Sequence, residues 1–293
     1  MRKARINIVK QDIVQSVDST QSKVFRLITL KNLLEENRRK WELPQSTTTS
    51  QFLTFLTEKS ELKEVRLAFR ARAYIRYAWR AATIQEILMS LDGAPYFSHY
   101  TAMSYHNLTE QIPKMIYVNS EQITKLRGAA TLEQHRIDLA FKGKGRTSRN
   151  FAVFQKQNIC LLNGKFTAQL GVMDALGPNR EKIRVTNVER TLIDITVRPM
   201  YAGGVFEVLK AFKTAKLNDQ VSVNKLSATL KKLDYVYPYH QAIGFYMERS
   251  GVYDNDSLDI LRRFEMKFDF YLDYHMEDKE YSKDWKLFYP KGF

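Results

Sequence analysis

Apolar residues return along this chain at two different periods. Through KVFRLITLKNLLEENRRKW, from Ser22 on, Val24, Leu27, Leu30 and Leu34 recur at helical spacing, and Pro44 marks the stop. The stretch before residue 20 carries no strong pattern. QSTTTS, Gln45 to Ser50, is a polar cluster rich in helix-capping residues, and Phe52, Phe55 and Leu56 then form one face of a second, short helix. The period next drops to two. In EVRLAF, Val65, Leu67 and Phe69 alternate with Arg66 and Arg70. In RAYIRYAWR, Ile75, Tyr77 and Trp79 alternate with Arg72, Arg76 and Arg80. Two strands with apolar faces turned in and arginine faces turned out predict a hairpin, although the turn between them lacks Gly or Pro.

Further along, TIQEILMSL reads as a short helix, and APYFSHYTAMSYHNL starts another after Pro95, with Ser98 as N-cap. KMIYVN is expected to be a buried strand, followed by a helix from Glu121 to about Arg136. NFAVF, NICLL and KFTAQLGVM read as strands, with Asn163–Gly164 as the hairpin turn between the last two. KIRVTN predicts a strand, and VERTLIDI, GGVFEVLKAF and NKLSATLKKL predict helices. The chain closes with a helix near HQAIGFYMERSG, a strand MKFDFYLDY, and WKLFYP. No internal repeat or low-complexity segment occurs.

The expected fold is α+β: an N-terminal winged helix-turn-helix over residues 1–85, followed by a larger mixed α/β domain over 86–293. Helix, polar turn, helix and arginine-faced hairpin is the order of that DNA-binding unit. Short hydroxyl and amide side chains (Thr47, Thr48, Thr49, Ser50, Gln51 and Thr54) can enter a major groove, while Arg66, Arg70, Arg72 and Arg76 neutralise phosphates. A small helical module for protein contacts has the same order.

At 293 residues, the chain suits two domains, each able to bury a core, and 44% hydrophobic content is that of a folded protein. No apolar run approaches the roughly 18 residues of a membrane helix. The basic N-terminus lacks the apolar core and cleavage site of a secretory signal. The single cysteine, Cys160, has no internal partner, so a reducing, cytoplasmic setting is expected. Net charge is +14. Residues 1–250 carry 39 Lys+Arg against 22 Asp+Glu, while residues 251–293 carry 7 against 10. That excess attracts polyanions, nucleic acid foremost, or else is a basic solvated surface.

The densest basic stretch is FKGKGRTSRN, with Lys142, Lys144, Arg146 and Arg149 around two glycines. A Walker loop needs G-x-x-x-x-G-K-[ST] before a helix. Here Lys144 precedes Gly145 and a strand pattern follows, which removes the nucleotide cradle and leaves a nucleic-acid contact or a solvated loop. His99 and His106 lie two helical turns apart without a third ligand, so no metal or cofactor is expected. Neither Cys160 nor any serine shows a nucleophile motif. In FEMKFDFYLDY, Glu265 and Lys267 share a predicted strand face with Asp269 and Asp273. That pairing is the core of a metal-dependent nuclease site, although charged residues on the wet face of a half-buried strand are the commoner case.

YFSHYTAMSYHNLTEQIPKMIYV and VTNVERTLIDITVRPMYAGGVFEVLKAF together resemble the AbiEi antitoxins, the DNA-binding members of type IV abortive-infection toxin–antitoxin pairs. Thr101 stands where the family pattern has serine, and Asn187–Val188 where Ser-Pro is common. The resemblance runs from about residue 22 to the end. It implies a repressor that binds double-stranded promoter DNA of its own operon, a C-terminal domain with antitoxin activity, no enzymatic activity, and a cognate nucleotidyltransferase toxin as functional partner. Glu189, Arg190, Thr191, Leu192 and Asp194 match the second motif. Glu189, Arg190 and Asp194 read as packing or capping groups, the rival being a direct role in DNA binding or antitoxicity.

Overall fold

Both periods are realised in an α+β fold. The computed structural model describes residues 5–123 and 131–293. Contacts divide the chain into two units. One runs to Ala94 and takes in Leu176–Ile183, and the other comprises Pro95–Ala175 and Arg184–Phe293. The division thus falls between Ala94 and Pro95.

The first unit contains α1 (Arg5–Ile8), α2 (Lys10–Asp18), β1 (Val24–Phe25), α3 (Leu27–Asn37), α4 (Thr49–Lys59), β2 (Leu62–Ala68), β3 (Ala73–Trp79) and α5 (Ile84–Met89). The strands form an antiparallel sheet in the order β1-β3-β2. The helix expected from Ser22 begins only at Leu27, because Val24 and Phe25 pair with Ala78 and Tyr77 of β3. A run of two residues is too short for periodicity to tell strand from helix. Ahead of it, α2 buries only Ile13 and Val17, which is why the first twenty residues carry so little signal. Trp41, Phe52, Leu30 and Leu34 pack with Leu62, Tyr77 and Trp79 into one core, Trp41 stacking on Phe52 at 5.8 Å.

The register of β2 and β3 overturns the expected arrangement of their faces. Val65 pairs with Arg76 and Leu67 with Tyr74, whereas Tyr77 pairs with Glu64 and Trp79 with Leu62. Paired residues share a face, so the two apolar rows lie on opposite sides of the hairpin. Leu62, Tyr77 and Trp79 join the helices. The other side buries Val65, Leu67 and Tyr74 and draws Arg76 in with them, 6% exposed, while Ile75 is 44% exposed.

The larger sheet has six strands: β4 (Tyr96–Phe97), β5 (Met115–Asn119), β6 (Phe151–Phe154), β7 (Gln157–Leu162), β8 (Val172–Leu176) and β9 (Lys182–Thr186), in the order β6-β7-β5-β4-β9-β8, with Leu176 of β8 and Lys182–Ile183 of β9 counted in the first unit. It is mixed: β5 runs parallel to β7, and β4 antiparallel to β5. The helices of the second unit are α6 (His99–Tyr105), α7 (Gln134–Lys142), α8 (Val188–Val197), α9 (Val205–Leu217), α10 (Val223–Leu233), α11 (Tyr239–Ser250) and α12 (Asn255–Arg262). Every residue of α8 from Glu189 to Val197 is buried, and α6, α9, α10 and α11 pack around it. A small sheet of β10 (Phe270–Tyr271), β12 (Leu287–Pro290) and β11 (Lys279–Ser282), in that order, closes the chain. In α11, Gly244 admits the Trp285 ring to the helix backbone: a Cβ there would lie 2.0 Å from it.

Four expectations fail here. KFTAQLGVM is strand only from Val172, its residues from Lys165 to Gly171 being irregular or turn. The helix expected from Glu121 begins at Gln134. Glu121 to Ile123 are irregular, and residues 124–130 lie outside the described residues. The hairpin turn is Gln155–Lys156 between β6 and β7, both at positive φ, and not Asn163–Gly164, where Gly164 N–H donates to Asn119 Oδ1 at 2.9 Å. MKFDFYLDY contributes only Phe270 and Tyr271 as strand. Buried Gln241 explains part of this, since its Nε2 donates to the carbonyls of Phe268, Trp285 and Lys286 and so holds the segment in an irregular path. Among the described residues, no helix is long and apolar enough to cross a membrane.

Candidate nucleic-acid interface

The polar cluster before α4 divides into capping residues and exposed ones. Thr48 is the N-cap: its Oγ1 accepts from Gln51 N–H at 3.2 Å, and Gln51 Oε1 accepts from Thr48 N–H at 2.9 Å. This reciprocal pair satisfies two backbone donors of the first turn. Thr47 and Thr49 are half-buried. Ser50 and Thr54 remain, exposed and one turn apart, on the side opposite Phe52, Phe55 and Leu56.

The turn leading into α4 is held by a residue with no sequence signature. Buried Arg38 pairs with Glu35 through two bonds of 2.9 and 2.6 Å and donates to the carbonyls of Pro44 (2.7 Å) and Thr47 (3.1 Å). The Glu35 carboxyl is held below its ordinary range by its hydrogen bond to Arg38.

The hairpin arginines also fall into two groups. Arg66 and Arg70 are exposed, and no side-chain bond to another described residue engages them. Arg72 and Arg76 converge on Asp92, with Arg72 Nη2 at 2.7 Å and Arg76 Nη2 at 3.1 Å. Arg26, at the N-cap of α3, joins them at 2.9 Å. Arg76 therefore does not lie on an open arginine face, because the register places it on a buried one where Asp92 compensates its charge. Sequence reasoning missed Arg26 and Asp92, since nothing local marks residues so far apart as partners.

In the second unit, the basic loop is anchored from beneath. A Cβ on Gly145 would lie 2.4 Å from Met200 Cε and 3.0 Å from the Tyr274 ring, so a side chain there would have to displace the Met200 methyl. Ser148 N–H donates to Tyr201 Oη at 2.6 Å, and Leu161 N–H to Asn150 O at 3.0 Å. Lys142 closes α7, and Lys142, Lys144, Arg146 and Arg149 are all exposed. The result is a fixed backbone presenting four cationic side chains, suited to phosphate oxygens.

The second motif is turned inward. Asn187 caps α8 through Arg190 N–H at 2.9 Å. Arg190 Nε pairs with Asp194 Oδ1 at 2.7 Å, and Nη1 donates to Leu170 O at 2.6 Å. Glu189 Oε1 accepts from Ser222 N–H at 3.2 Å, and its Oε2 pairs with Lys225 Nζ at 3.0 Å. Thr101 Oγ1 accepts from Tyr117 N–H at 2.8 Å, and His106 Nε2 lies 2.6 Å from Thr186 O. Burial pushes the His99 imidazole down to about 4. Glu121 gathers Tyr96 Oη and the Thr167 and Gln169 N–H groups. Burial works to raise its carboxyl, but these bonds hold it below the ordinary value.

Glu265 and Lys267 are exposed in an irregular segment, not on a strand face. Among the described residues, no group of three or more His, Cys, Asp or Glu is placed to hold a metal ion. Cys160 is buried in β7, and burial raises its thiol to about 11, the direction of an unreactive group.

No family model and no curated protein matches the chain. Its fold is similar to the crystal structure of the RV2827C protein from Mycobacterium tuberculosis, at a TM-score of 0.57 and 12% identity, over 99% of this chain and 93% of that one. At that identity the likeness concerns the fold.

Proposed function

We propose that the chain is a sequence-specific DNA-binding repressor and an antitoxin of the AbiEi type, whose first unit is a winged helix-turn-helix. The observation that carries the reading is the exposed row of Ser50 and Thr54 on α4, in the same unit as a hairpin with unengaged Arg66 and Arg70. Short hydroxyls on a well-capped helix fit a major groove, while exposed arginines on β2 and in the turn after it fit flanking phosphates. The net charge of +14 supports the same partner. A cytoplasmic setting and a nucleotidyltransferase toxin as functional partner belong to this reading through the resemblance of the two motifs to the AbiEi antitoxins.

Band shifts on the DNA upstream of the chain's own gene, at several salt concentrations, test it. Sequence preference should appear, with log affinity falling linearly in log salt. Ser50→Ala with Thr54→Ala should alter which sequences are preferred. Arg66→Ala with Arg70→Ala should weaken binding to all sequences alike. Binding without sequence preference, or insensitive to salt, sinks the reading.

A further inference from the structure

Three guanidinium groups of the first unit share one carboxylate. Asp92 Oδ1 takes Arg26 at 2.9 Å and Arg76 at 3.1 Å, and Oδ2 takes Arg72 at 2.7 Å. Among these four side chains, three positive charges meet one negative, so two are left over. The members differ in mobility. Arg76 is fixed: its side chain is 7% exposed, its Nε donates to Ser90 O at 3.1 Å and its Nη1 to Ile75 O at 2.9 Å. Arg26 and Arg72 are about half exposed, with Arg72 resting 4.2 Å over the Tyr74 ring. Burial, and then the like charges of Arg26 and Arg72, hold Arg76 below its ordinary range despite Asp92. Planar guanidiniums around a single bidentate anion form the geometry that recognises phosphate as readily as carboxylate.

We propose that Arg26 and Arg72 form a phosphate-binding site that Asp92, held by buried Arg76, fills in the unliganded protein. A phosphate group enters by taking Arg26 and Arg72 from Asp92, while buried Arg76 keeps its hold on the carboxylate. Asp92 is thereby a built-in competitor, which sets how tightly the first unit grips an anion. Assigning the phosphate to nucleic acid rests on the DNA-binding reading. A free phosphate compound offers the same oxygens, and the two sources are separable.

Two probes on the full chain separate them: inorganic pyrophosphate by calorimetry, and a short labelled duplex by anisotropy at several salt concentrations. Asp92→Asn removes the competing charge and keeps the shape. It should tighten both probes roughly three- to tenfold, and the duplex salt slope should steepen by about 1 for each arginine released. Arg26→Ala changes an exposed side chain, leaves the Asp92–Arg76 pair in place, and should weaken both probes by a similar factor. Asp92→Asn binding no tighter than the unaltered chain, or Arg26→Ala binding as well as it, overturns the site. Should Asp92→Asn fail to fold, Arg26→Ala alone decides. Pyrophosphate affinity that follows the variants while no duplex binds supports the site and sinks the DNA reading. Both probes indifferent to both variants overturn the site, and duplex binding that persists then leaves that reading standing.

Discussion

Arg190 meets Asp194 across one turn of α8 with both side chains almost fully covered. Removing one partner of such a pair leaves an uncompensated charge and costs about 3–5 kcal/mol, whereas pairing them adds little net stability. The motif's charged residues thus act here as the packing and capping groups that their pattern in the sequence predicted. Burial lowers the imidazoles of His99, His106 and His240, and it pushes His99 and His240 down to about 4 from an ordinary 6.5. The unfolded chain binds protons on these rings before the native state does, so stability is fully present above pH 6.5 and is lost as pH falls toward 4. The loss is on the order of 3 kcal/mol each for His99 and His240. Thermal unfolding across that window should show a falling midpoint, and His99→Gln should flatten the fall relative to the unaltered chain. An equally steep fall would mean that His99 does not stay neutral in the native state.

At the scale of elements, α4 joins two tasks on neighbouring residues. Thr48 and Gln51 close the capping box, and Ser50 and Thr54 stay open to solvent. Thr48→Ala removes one reciprocal bond and should lower stability by about 1 kcal/mol in denaturant unfolding. On the proposed DNA-binding reading, it should leave untouched the sequence preference assigned to Ser50 and Thr54. A changed preference with unchanged stability would reverse those assignments. The alternation in β2 and β3 was legible from residue types, but the side on which each row falls was not. A strand's faces are local, while the pairing of Val65 with Arg76 is a register between strands, and one register step exchanges the faces. The same reason hid the short β1, whose two residues are strand only because β3 lies beside them.

For the whole molecule, the basic loop at 142–149 gives the second unit a cationic surface of its own. Replacing Lys144, Arg146 and Arg149 together with Ala should shallow the duplex salt slope by about 1 for each phosphate no longer neutralised, read by anisotropy across salt. An unchanged slope would leave the loop as a solvated surface. The sequence by itself determined the helices with long apolar rows, the strand alternation, the charge excess and the glycine-bearing basic loop. These depend on residue type at short range, where period and turn chemistry act. Only the tertiary structure decided which arginines are engaged, since Arg26, Arg72 and Arg76 meet Asp92 through three separate segments. It also turned Glu189, Arg190 and Asp194 inward and took Glu265 and Lys267 off a strand. Burial and charge pairing are long-range properties, set by what packs against a residue and not by its neighbours in the chain.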